Sequence, residues 1–411
     1  MTVRSRFWLL AALRWLPTGL IVPVVALLPL DRGLSVAQLG VALAVQGVVV
    51  LCLELPTGGL ADALGRKPVF VASAAVAVAA YCLVALAHDL RAFMAGSALV
   101  GVFRALDSGP LNAWFVDSVH DDETVVDRAA TVARGLSGYA GIVGLAIAAG
   151  AVVSGLLVAW SPLGRADSLA LPYWIAAALG VVQVVVAVAL MDEDRSGRAG
   201  GAIASLKAAP AVVREGAQLL RQSRVLRALV AISLLWGFGM VAFEALTPVR
   251  LAELLGDRDD AAAVMGPVTA AAWTVSAVGA AAVPLVLRRW SLVQASVALR
   301  ILQGATVVAM GLALGPIGLV LGLLATYALH SAAGAIYETL LHEQVDNRHR
   351  ATVLSLSSMM MHPGGSIGGI VLGVLATGVS TAFALMVGGV VLAAAAPLFL
   401  VREAVPVRGG G

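Results

Sequence analysis

Charge is scarce in this chain. Asp, Glu, Lys and Arg make up 12% of its 411 residues, against 60% hydrophobic residues and a mean hydropathy of +0.95. A soluble globular domain, with roughly a quarter of its residues charged, is excluded. Lysine is confined to Lys67 and Lys207, which are followed by Pro68 and Ala208. Neither fits a Gly-Lys-Ser/Thr phosphate loop, so ATP hydrolysis within this chain is not expected. Cysteine is limited to Cys52 and Cys82, both inside apolar runs, where a small buried hydrophobe is expected rather than a disulfide or metal pair. The period-two alternation of a membrane β-barrel is missing, because the apolar runs are continuous. No sizeable soluble domain is present to support a receptor or scaffold. A membrane-embedded enzyme is a remote alternative: His120-Asp121-Asp122-Glu123 is the nearest approach to a clustered nucleophile or metal set, and it reads as a solvated charge run. The net charge of +3 gives nucleic-acid binding no support, since basic residues in a membrane protein mainly encode topology.

What is present is a succession of apolar runs long enough to cross a bilayer as helices. Twelve spans are predicted, over 7–30, 36–57, 69–87, 92–116, 129–159, 171–191, 226–248, 261–287, 292–314, 317–341, 352–377 and 381–401. The fold class is therefore all-α integral membrane, with two pseudo-symmetric six-helix bundles. The first run lacks a small-residue cleavage site and reads as a spanning helix, not a removed signal peptide. Arg4, Arg6, Arg66, Lys67, Arg128, Arg195, Arg198, Lys207, Arg214, Arg221, Arg224, Arg288, Arg289, Arg348, Arg350, Arg402 and Arg408 fall on one side, and Arg32, Arg91, Arg165, Arg250 and Arg258 on the other. The arginine-rich side, with both termini, is thus expected in the cytoplasm. The wealth of arginine and alanine suggests a GC-rich bacterial gene, and with it a multi-pass protein of the bacterial plasma (inner) membrane. The division is 1–191 for the first bundle, 192–224 for a cytoplasmic linker with an amphipathic helix, 225–402 for the second bundle and 403–411 for a cytoplasmic tail.

The stretch Gly58-Gly59-Leu60-Ala61-Asp62-Ala63-Leu64-Gly65-Arg66-Lys67 is a polar hinge between spans 2 and 3. Leu106-Asp107-Ser108 followed by Arg128-Ala129-Ala130-Thr131 recurs as Leu329-His330-Ser331 followed by Arg350-Ala351-Thr352, at an offset of about 222 residues. The same offset carries Arg66-Lys67 onto Arg288-Arg289, with Pro284 where Asp62 would stand. Twelve spans in two repeated halves, with Gly58, Asp62, Gly65, Arg66 and Lys67 at the hinge, resemble the major facilitator superfamily of secondary transporters. Glu54-Leu55-Pro56-Thr57-Gly58, Trp114-Phe115-Val116-Asp117 and Arg350-Ala351-Thr352-Val353-Leu354-Ser355 resemble its bacterial drug and metabolite exporters. Ala63 departs from a position that is often basic. Span 5 lacks the Gly-Pro step of drug–proton antiporters, and Ser108 stands where a glycine is usual.

The resemblance implies a gate in which Arg66 pairs with Asp117 while Asp62 faces the start of span 11 near Arg350. Charges within spans are costly, so Arg14, Glu54, Arg104, Asp107 and Glu244 are the candidates for substrate binding or proton coupling. Arg104 and Asp107, at i and i+3, are expected to pair on one helix face. Arg300 is expected to pair locally or snorkel, His330 and His362 to pack or protonate, and Trp236, Phe238, Phe243 and Trp273 to line an aromatic cavity or to pack. The expected function is proton-coupled efflux of a hydrophobic or amphipathic small molecule by a monomer, driven by an ion gradient with no cofactor or metal. Uptake of a polar nutrient by proton symport is the alternative.

Overall fold

The computed structural model describes residues 1–122, 125–162, 164, 167–193, 214, 218, 220–343 and 350–401, the side chains of 55, 56, 58, 59, 62 and 350–355 excepted. The described chain is helical throughout: α1 Val3–Ile21, α2 Leu27–Asp31, α3 Val36–Leu64, α4 Arg66–Leu86, α5 Leu90–Leu106, α6 Pro110–Asp121, α7 Arg128–Trp160 and α8 Leu171–Leu190 in the first half. The second half holds α9 Arg224–Leu255, α10 Arg258–Ala281, α11 Val283–Leu287, α12 Leu292–Leu312, α13 Pro316–Glu343, α14 Arg350–Gly378 and α15 Thr381–Ala394, closed by a 3₁₀ turn Ala396–Leu400. Among the described residues ten helices are long and apolar enough to cross a membrane. The first and fourth crossings are the remaining two, and each is built from two shorter helices: α1 with α2, and α5 with α6. Helices begin where a short polar side chain takes an orphan N–H: Ser35, Asp89, Asp127, Ser223, Asp257, Ser291 and Ser380 each accept from the third residue of the helix they cap.

The fourth crossing corrects the continuous helix expected over 92–116. Pro110 cannot donate a backbone hydrogen bond, and Gly109 before it has φ +106°, which a residue with a side chain rarely adopts. α5 therefore stops at Asp107, its C-cap, and α6 starts three residues on. Irregular backbone at this depth is tolerated only where it lines a cavity or is covered by protein.

The halves meet at the face that carries the 31–36, 255–258 and 378–381 connections, here the far face; the termini and the Gly65 turn lie on the opposite, terminal face. Across the α3–α14 seam, a Cβ on Gly40 would run into the backbone carbonyl of Gly369, and one on Gly373 would lie 2.8 Å from Val36 O. Thr377 Oγ1 accepts from Ala37 N at 2.9 Å, and Ser366 Oγ donates to Ala44 O at 3.0 Å. On the other side, a Cβ on Gly155 of α7 would lie 2.7 Å from Ala263 O of α10. Ala26, Leu30 and Leu39 pack with Val249 of the second half, and Arg258 reaches Asp31 at 3.7 Å. Toward the terminal face α7 opens out: Ala133, Arg134, Ser137 and Ala140 are exposed, and Gly141 has nothing opposite it. The halves are thus packed together beneath the far face, whose outer rim keeps a cavity of about 930 Å³ lined by Leu34, Ser35, Val249, Glu253, Arg258 and Thr377, while a crevice between them widens toward the terminal face as α7 draws away from α10.

Gly40→Leu is expected to wedge this seam, since overpacking costs about 1–3 kcal/mol. Cysteines placed at Leu39 and Val249, both buried where the halves meet, should become more accessible to thiol reagents than in the parent chain; unchanged labelling counts against a close-packed seam.

Candidate functional site

The crevice wall of the first half is organised by the break in the fourth crossing. Asp107, freed from helical continuity, turns to α1, where Arg14 Nε meets its Oδ2 at 2.5 Å. Arg14 is buried and Asp107 part-buried, their side chains 6% and 12% exposed. Arg14 also donates to Thr18 Oγ1 at 3.1 Å and lies over the rings of Trp15 and Phe103, 4.6 and 4.3 Å from their centroids. Two aromatic faces and a carboxylate thus replace the water that a guanidinium loses in a membrane. Trp15 Nε1 donates to Tyr139 Oη at 2.9 Å, fixing the ring against α7.

The opposite wall is aromatic. His330 stacks on Trp236 at 5.3 Å, and Phe243 and Tyr327 stand 5.8 and 6.1 Å from it. The Tyr327 hydroxyl donates to Glu244 Oε1 at 3.4 Å. Behind this wall Arg300, 3% exposed, donates to Gln303 Oε1 at 2.9 Å, which agrees with local pairing; Gln303 in turn lies 3.4 Å from His330 Nδ1. Glu54 crosses between the halves: its Oε2 lies 3.6 Å from His362 Nε2, and Ser358 Oγ donates to Oε1 at 3.4 Å. Arg104 is exposed, and its charge acts on Asp107 and Glu54 of the first half and on Glu244 and His362 of the second. It therefore stands between the halves.

A second cluster occupies the terminal face. Gly65, at φ +100°, ends α3 and starts α4 in one residue, which directs Arg66 Nε to 3.6 Å from Asp117 Oδ2. Glu193 caps α4: its Oε1 accepts from Arg66 N at 2.7 Å and its Oε2 from Lys67 N at 3.1 Å, a carboxylate at a helix N-terminus. Lys67 Nζ donates to Val188 O at 2.8 Å, and Arg6 pairs with Asp192 at 2.8 Å. The side chains of Gly58, Asp62 and Arg350, the other members of the expected gate, lie outside the described residues, as does most of the 192–224 linker and all of the 403–411 tail.

Two six-helix halves, a crevice between them and a charged turn at the terminal face are matched among known proteins. The Major Facilitator Superfamily profile matches residues 7–361. The chain belongs to that superfamily. It is accordingly a multi-pass membrane transporter and not an enzyme. Similar solved structures are a nucleoside transporter, NupG, with a TM-score of 0.81 and 13% identity over 98% of this chain and 100% of that one, and a bacterial homologue of the human lysosomal transporter Spinster in an inward-facing, occupied conformation, with a TM-score of 0.75 and 13% identity over 97% and 95%. At such identity they share the fold. A curated relative, the inner membrane transport protein YajR of Escherichia coli (strain K12), is 32% identical over 91 residues, 22% of this chain and 20% of its own length.

Within this facilitator fold several expectations change. Arg104 and Asp107 do not pair on one helix face: the helix ends at Asp107, whose carboxylate goes to Arg14 instead. Arg14 and Glu54 are joined to other spans, Arg14 within its own half and Glu54 across to the second. Cys52, expected to be buried, is exposed, because α3 turns that face away from both α5 and α14. Phe238 packs against the apolar core with its backbone against Gly368, rather than joining the aromatic wall. Glu193, Arg134 and Glu338 escape the sequence reading. The last two are charges inside predicted spans, so depth alone could have flagged them, whereas nothing local marks Glu193 as the cap of a helix 127 residues earlier.

Asp107→Ala is expected to lower stability by about 3–5 kcal/mol, because it strands a buried guanidinium. The double variant Arg14→Met, Asp107→Leu should recover most of that loss in thermal unfolding of the detergent-solubilised protein; equal instability of single and double variants would show that the ion pair is not what Arg14 needs.

Proposed function

We propose that the chain is a proton-coupled exporter of an amphipathic small molecule, working by alternating access between its two halves. The observation that carries this reading is the Asp107–Arg14 pair at the break of the fourth crossing. A carboxylate held by an arginine beside a crevice exchanges that partner for a proton, and the change of charge biases which side of the transporter is open. Glu54 contributes from α3, where its link to His362 and Ser358 of α14 forms only while the two halves lie together at that level. Arg66 and Asp117, held by the Glu193 cap, act as the latch of the terminal face, and Asp62 and Arg350 complete it.

The terminal face is cytoplasmic in this reading, supported by the excess of arginine there, and the membrane is a bacterial inner membrane, supported by the relative from that compartment. A crevice sealed by backbone contact at the far face and open toward the terminal face is then the inward-facing state. The cargo enters from the cytoplasm between an aromatic wall and a charged one. The protein acts as a monomer.

The test is flux in proteoliposomes with an imposed pH gradient, using a panel of amphipathic aromatic compounds. The parent should move protons against cargo. Asp107→Asn, which keeps an oxygen for Arg14, should lose proton-driven accumulation yet retain exchange of labelled for unlabelled cargo. Protons and cargo moving in the same direction would replace export by symport, and undiminished accumulation in Asp107→Asn together with Glu54→Gln would remove the coupling assignment.

A further inference from the structure

Once the ion pairs of the crevice are drawn, two charges are left over. Arg104 has no hydrogen bond or ion pair among the described residues, although it is exposed to the crevice and within electrostatic reach of charges from both halves. Asp107 is engaged by Arg14 and Glu54 by Ser358 and His362. Glu244, exposed on the second half, receives only the long Tyr327 hydroxyl bond at 3.4 Å among the described residues, and it is not in ion-pair contact with Arg104 although each feels the other's charge. One cation from the first half thus faces one anion from the second across a gap, next to the ring faces of Trp236, Tyr327 and His330.

While the crevice is open, water solvates both groups. Closing it removes that water, and each charge then needs a partner. A singly charged cargo neutralises one and strands the other. A molecule that carries both signs satisfies both at once, with its apolar body against the aromatic wall. We propose that Arg104 and Glu244 bind the two ends of a zwitterionic, aromatic-bodied cargo, Arg104 its carboxylate and Glu244 its ammonium. The proposal rests on the transporter reading above and names the class of its amphipathic cargo. It also gives the break in the fourth crossing a second consequence: with Asp107 drawn to Arg14, Arg104 is released for the ligand.

The experiment uses three probes that share a phenyl ring and differ in charge: phenylalanine, phenethylamine and 3-phenylpropionate. Binding to the purified full-length protein in detergent is followed by calorimetry. Phenylalanine should bind about tenfold or more tightly than either singly charged probe, as expected for a hydrogen bond to a charged group. Arg104→Gln should reduce phenylalanine to the level of phenethylamine and leave phenethylamine unchanged; Glu244→Gln should do the same relative to 3-phenylpropionate. The charge-preserving variants Arg104→Lys and Glu244→Asp should keep the preference, which separates recognition from folding. Equal binding of the three probes, binding of none, or a uniform loss of all three in both amide variants overturns the proposal. Proton-coupled flux of a cargo with no zwitterion preference overturns this inference alone, whereas absence of coupled flux for every compound in the proteoliposome panel overturns the reading beneath it.

Discussion

A charge inside a bilayer must find a partner or water, and the interior of this protein is arranged by that requirement. Arg14 is the plainest case. It sits in the apolar stretch of the first helix that follows Arg6, and the chain supplies it with a carboxylate, a hydroxyl and two ring faces. The carboxylate can reach it because Gly109 and Pro110 stop the helix of the fourth crossing just beyond Asp107. Backbone geometry, rather than side-chain length alone, thus decides which charges are paired.

The two faces of the protein are held by different physics. At the far face the seal is made of backbone approach at glycines and an apolar cluster around Val249, with Asp31–Arg258 at the rim. Such contacts are short-ranged and either fit or do not, so they favour two discrete arrangements over a continuum. At the terminal face the described contacts are ionic and lie within the first half: Arg66–Asp117, Arg6–Asp192 and the Glu193 carboxylate on the α4 N-terminus. Charge in a wet interface can be exchanged one partner at a time, and this suits an end that opens and closes against solvent.

Apolar runs, arginine asymmetry and the internal repeat make the architecture readable from the chain, because a bilayer imposes length and composition on each crossing. The Arg66–Asp117 approach is readable too, since it follows from the family signature. The Arg14–Asp107 pair is not. Arg14 and Asp107 lie 93 positions apart on different crossings, and helical spacing instead suggested Arg104 as the partner. What misled was the assumption of an unbroken helix, although Gly109-Pro110 is a strong breaker in any solvent. Glu193 was hidden for another reason: a capping carboxylate far away in sequence leaves no periodic trace.

The internal repeat explains why the halves differ where they face each other. Carried across the offset of about 222 residues, Arg14 falls on Trp236 and Asp107 on His330. The two positions touch in both halves, as an ion pair at 2.5 Å in the first and as stacked rings at 5.3 Å in the second. The geometry of contact between the first and fourth crossings of each half has therefore been kept while its chemistry has been replaced. An ion pair opens when its carboxylate gains a proton; a stack of indole on imidazole has no ion pair to break, and it offers a face to a ligand. One inherited contact has become a switch in the first half and a wall in the second, so coupling and recognition occupy matching places on opposite sides of the same crevice.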